Sequence, residues 1–113
     1  MDLTDIPPSY PSDTFVAEID GRKARSLRAF YPAIARKLLF PDYFGGTLDA
    51  LFDCLCSLEV IGKPSVVLHI SHFDSFLERE KPEKRRAALD VLADAEKDEN
   101  RYDGVRFRVV CTK

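Results

Sequence analysis

Asp49 and Asp53 stand four residues apart, and Asp94 and Asp98 repeat that spacing further along the chain. At about 100° per residue each pair falls on one face of a helix. Paired carboxylates of this kind can serve acid–base hydrolysis, hold an ion, or attract a basic partner. The plainest alternative is a solvated helix face, since surface charge is usually just solvation. Hydrolysis further requires one acid in an apolar pocket with a raised pKa, which two acids on an open helix face do not provide. If the two helices lie side by side, the four carboxylates can instead share one patch whose field draws in a cationic protein.

Other reactive residues form weaker patterns. His69 and His72 have no acid or thiol at a recognisable motif spacing. One is expected to pack in the core and the other to sit at the surface or cap an element. Gly45-Gly46-Thr47 has a faint likeness to a phosphate loop but lacks its lysine and its glycine spacing, so capping by Thr47 is the better account. Cys54, Cys56 and Cys111 are odd in number, and Cys-x-Cys lacks the second ligand pair of a structural zinc site. All three are expected to be reduced and to behave as small hydrophobes. No metal, cofactor or catalytic residue is expected.

The 113 residues carry 17 Lys and Arg against 19 Asp and Glu, a net charge of −2. That balance argues against a nucleic-acid binder, which normally shows a basic face. The distribution is less even than the total. Between Lys37 and Lys63 there is no Lys or Arg at all, while Asp42, Asp49, Asp53 and Glu59 all fall there. No apolar run approaches the roughly 18 residues of a membrane span, and no secretory signal opens the chain. A cytoplasmic protein of one domain is expected.

Positioning these residues requires a small set of elements. Residues 1–13 hold Pro7, Pro8 and Pro11 and read as a flexible tail ahead of a single domain over residues 14–113. Residues 15–19 read as a strand closed by Asp20-Gly21. Leu27, Phe30, Ile34 and Leu38 recur at helical spacing, although Pro32 should let that helix begin only about one turn before it. Thr47 caps a second helix whose stripe is Leu48, Leu51, Phe52, Leu55 and Leu58, with Asp49 and Asp53 beside it. Residues 66–70 form a nearly continuous apolar run, as in a strand covered on both faces. Phe73, Phe76 and Leu77 suggest a short helix, and Pro82 opens a longer one. Val105, Phe107, Val109 and Cys111 alternate with arginines as a half-buried strand. The order β-α-α-β-α-α-β predicts an α/β fold with a three-stranded parallel sheet and about four helices.

Residues 41–55, PDYFGGTLDALFDCL, join an aromatic loop, a double glycine and the acidic helix. This segment resembles the barstar family of ribonuclease inhibitors, whose signature is a proline, an acidic residue, two aromatics and a glycine ahead of a helix of the type LDALWDAL. The resemblance extends from FVAEIDG at residues 15–21 to the last strand and covers roughly residues 15–111. It implies a cytoplasmic, bacterial antitoxin-like protein, monomeric when free, that plugs the active site of a basic ribonuclease in a one-to-one complex. The implied contacts are Tyr43 over the nuclease's catalytic histidine, Asp49 and Asp53 on its phosphate-binding cations, and Asp94 with the weaker Asp98 in support. Thr47, Phe52 and Leu58 complete the implied contact surface: Thr47 stands where the family usually has an asparagine, and Phe52 and Leu58 each stand in place of a tryptophan. An acidic module for a basic partner that is not a nuclease, and less so a small carboxylate hydrolase, stay open beside this reading.

Overall fold

The computed structural model describes residues 1–4 and 9–113. The chain builds around the strand β3 (Ser65–Ser71), which is central because it is apolar on both sides: Val66, Val67, Leu68 and Ile70 are all buried. Strand β2 (Thr14–Asp20) pairs with it in parallel, Phe15 opposite Val66 through Ile19 opposite Ile70. Strand β4 (Arg106–Thr112) pairs in parallel on the other side, Val66 opposite Phe107 and Ile70 opposite Cys111. A short strand β1 (Asp2–Thr4) pairs with β4, giving the sheet order β1-β4-β3-β2.

Among the described residues the sheet therefore has four strands rather than the expected three. The addition comes from the segment read as a tail, of which residues 5–8 lie outside the described residues. Three residues are too few to show a period of two, so nothing in the sequence marks them as a strand. Their pairing also moves β4 to the interior. Its predicted alternation survives only at the start, and Val109, Val110, Cys111 and Thr112 are buried in succession.

Among the described residues three α-helices pack with this sheet, not four. Helix α1 (Leu27–Lys37) starts where Ser26 Oγ accepts from the amide of Ala29 at 3.2 Å, a full turn and more ahead of Pro32. Arg28 and Pro32 are both exposed, so the carbonyl that Pro32 leaves without a donor faces water. Helix α2 (Leu48–Leu55) and helix α3 (Pro82–Ala95) match the expected elements. The short helix expected around Phe73 is a series of turns instead. Leu77 is left-handed at φ 57° and spends its amide on the carbonyl of Ala24 at 2.9 Å, so a distant segment takes the bond a helix would have used. Phe76 still fills the core, edge-on to Phe30 at 5.0 Å between centroids.

One hydrophobic cluster joins the inner face of the sheet, through Ala17, Leu68 and Phe107, to Phe30 and Ile34 of α1, Leu51 and Leu55 of α2, and Leu92 of α3. Gly21 marks where β2 leaves the sheet. A Cβ there would lie 2.3 Å from the carbonyl oxygen of His72, so the backbones at the ends of β2 and β3 touch as only glycine permits.

Candidate protein-binding surface

The loop between α1 and α2 is shaped by its aromatic residues. Phe44 lies edge-on to Tyr31 at 5.7 Å and to Phe40 at 5.2 Å, and its amide donates to the carbonyl of Pro41 at 3.0 Å. With Phe44 turned inward, its neighbour Tyr43 is turned outward and is 86% exposed. Gly46 then takes a left-handed φ of 65°, a conformation that costs any side-chain-bearing residue. Thr47 closes the loop as the expected cap, its Oγ1 accepting from the amide of Ala50 at 3.1 Å.

Helix α2 buries Leu51 and Leu55 completely and leaves Asp49 and Asp53 exposed on its outer side. Phe52 is half-buried against the core. Neither aspartate forms an ion pair with any described residue. Tyr43 and Asp53 line one open cleft of about 600 Å³, with Leu39, Phe40 and Val60 as its apolar walls. Thr47 and Asp49 line a second of about 390 Å³, whose other side carries Tyr31, Glu80 and Lys84.

The acids of the later helix differ in their surroundings. Helix α3 packs on α2, as a shared patch requires. However, Asp94 pairs with Lys97 at 3.3 Å and Asp98 with Arg108 at 3.9 Å, so each has a cation from its own chain. Neither lines the clefts of Asp49 or Asp53. Leu58 does not belong to the surface. It is fully buried in the core, because the chain turns inward after α2 and the apolar stripe of that helix continues through it.

A buried pair that no sequence pattern marks fixes the far ends of both helices. The Arg101 side chain is 3% exposed. Its Nη1 donates to the carbonyls of Leu55, at 2.8 Å, and Ala95, at 2.9 Å, the last residues of α2 and α3. Its Nε donates to Val105 O at 2.7 Å and its Nη2 to Asp103 Oδ2 at 2.8 Å. One guanidinium thereby satisfies carbonyls that two helices leave open and places its charge at the negative ends of both dipoles. Asp103 accepts in addition from the amides of Leu58, at 2.8 Å, and Val105, at 3.0 Å. Burial alone would raise its pKa, but the two amides and Arg101 outweigh it and hold the carboxyl below its ordinary value. A buried arginine six residues past the end of α3, among charged neighbours, reads in sequence like any surface cation.

The remaining reactive groups have structural surroundings. His69 is largely buried, with Nε2 2.9 Å from Thr112 Oγ1, and His72 is half-exposed in a left-handed conformation just beyond β3. Cys54, Cys56 and Cys111 are free thiols, and burial pushes Cys111 up to about 11. Among the described residues no three His, Cys, Asp or Glu side chains are placed to hold a metal ion. Among them, too, no helix is long and apolar enough to cross a membrane.

Strands β2, β3 and β4, the loop and the acidic helix fall within residues 14–112, the stretch matched by a family model described as Barstar (barnase inhibitor). The chain belongs to the barstar family. One relative is the Bacillus subtilis (strain 168) protein named "Putative ribonuclease inhibitor YrdF", 36% identical over 59 residues. That alignment takes in 52% of this chain and 65% of the relative, so this barstar-family chain spans less than two thirds of the relative's length.

Proposed function

We propose that this barstar-family chain inhibits a ribonuclease by laying the loop around Tyr43 and the outer face of α2 over the enzyme's RNA-binding cleft. A ribonuclease must gather positive charge where RNA phosphates lie. Carboxylates on a rigid helix imitate those phosphates and are steered toward the cleft by its field. The barnase–barstar pair is itself a standard instance of that rule, so the rule describes the family and adds no separate support.

The observation that carries the reading is that Asp49 and Asp53 are exposed on one helix and have no cation partner among the described residues of their own chain. Their counter-ions are expected on another protein. Asp53 is the central anchor, Tyr43 packs beside it over the nuclease's catalytic residues, and Asp49, Thr47 and Phe52 extend the contact along α2. Asp94 and Asp98 act as weaker supports, since binding must compete with Lys97 and Arg108. The protein works in the cytoplasm as a monomer, forms a one-to-one complex, and performs no catalysis and needs no cofactor.

Barnase is a direct probe. Titrating the chain into barnase and following cleavage of an RNA substrate should abolish activity at one equivalent, with excess RNA slowing the onset. Barnase that stays fully active at several equivalents would refute the proposal.

A further inference from the structure

Tyr102 is 94% exposed, the most exposed of the large apolar or aromatic side chains among the described residues. It lies far from Tyr43 in sequence, in the connection between α3 and β4. An aromatic ring left in water on a flexible loop would mean little. This ring stands between two immobilised neighbours, because the side chains of Arg101 and Asp103 are each 3% exposed and locked in the buried network beneath it. Its backbone is therefore fixed while its side chain projects outward, so little ordering entropy is lost when a partner covers it.

The ring also borders the acidic helix. Tyr102 lines a cleft of about 220 Å³ together with Phe52, Asp53, Ser57, Glu59 and Asn100. Asp53, Ser57 and Glu59 line the Tyr43 cleft as well, so Asp53 stands between two depressions, each edged by an exposed tyrosine. Among the described residues that line the Tyr102 cleft there is no lysine or arginine, while Asp53 and Glu59 are exposed carboxylates. Such a site fits a cationic side chain that lays its charge against the carboxylates and its flat or apolar surface on the ring.

We infer that Tyr102 is a second aromatic contact for the ribonuclease, receiving an arginine or lysine from the rim of the enzyme's RNA cleft. The inference rests on the ribonuclease-inhibitor reading and extends the contact surface past the C-terminal end of α2. It makes the α3–β4 connection a determinant of which ribonuclease is bound.

The test is calorimetric titration of barnase with the wild-type chain, Tyr102→Ala, Tyr102→Phe and Asp53→Ala, with thermal melts of each variant. Tyr102→Ala should weaken binding about tenfold or more, as loss of an aromatic anchor does. Tyr102→Phe keeps the ring face and should remain within about threefold of wild type. Both melts should match wild type, because the side chain is exposed. Unchanged binding by Tyr102→Ala alongside clear weakening by Asp53→Ala would overturn this inference and leave the inhibitor reading intact. A wild-type chain that does not bind barnase would overturn both.

Discussion

Asp103 accepts three hydrogen bonds while almost wholly buried, and those bonds decide what pH does to the protein. Its folded pKa lies below the unfolded value of 3.8. A depressed carboxyl contributes stability in full above the unfolded value and loses it as pH falls through the folded one. Asp103→Asn should therefore be less stable at pH 7 by about 3 kcal/mol, since Arg101 is left buried without its counter-charge. Its melting temperature should also fall less steeply than wild type as pH drops below the ordinary carboxyl value of 3.8. Asp20, drawn down to about 2 by its side-chain hydrogen bond with Arg22, titrates in the same window in both proteins and cancels from the comparison. Circular-dichroism melts across that range check both statements, and parallel slopes would remove Asp103 from the account. At this scale the sequence revealed Asp49 and Asp53 through helical spacing and Thr47 through its place before the helix. It concealed Arg101 and Asp103, because burial of a charge depends on where distant carbonyls end up.

The elements that follow a local rule were legible, and those that depend on a distant partner were not. Helix α2 was visible from its cap and stripe, and β3 from an apolar run that both faces of the sheet have to cover. Strand β1 exists only because β4 offers an edge, and the turns around Phe76 replace a helix because Leu77 binds Ala24. Leu58, a contact position by resemblance alone, is core because the apolar stripe of α2 runs on through it. The contact between the ends of β2 and β3 is likewise invisible in sequence, though Gly21 was read as a turn residue. Gly21→Ala should cost about 2 kcal/mol or more, since its Cβ would press on backbone that cannot retreat without spreading two paired strands. Urea denaturation measures this, and a midpoint equal to wild type would show that the strand ends separate freely.

Across the whole molecule, charge is nearly balanced in total and unbalanced in place. With 17 cations and 19 anions in the chain, the absence of any Lys or Arg between Lys37 and Lys63 leaves α2 acidic while cations gather elsewhere. The core, the aromatic loop and the Arg101 network hold that helix rigid, so its acids stand in position ahead of any partner. Like charges at this spacing cost an isolated helix a few tenths of a kcal/mol. Such a cost is small beside the gain when both acids meet desolvated cations, where a central contact of this type is worth about 2 kcal/mol or more. The most direct measurement is calorimetric titration of barnase with the wild-type chain and with Asp53→Ala, an exposed substitution that leaves the fold intact. Anchoring by Asp53 predicts one-to-one binding that the substitution weakens by roughly thirtyfold or more. Equal affinity of the two proteins would contradict it.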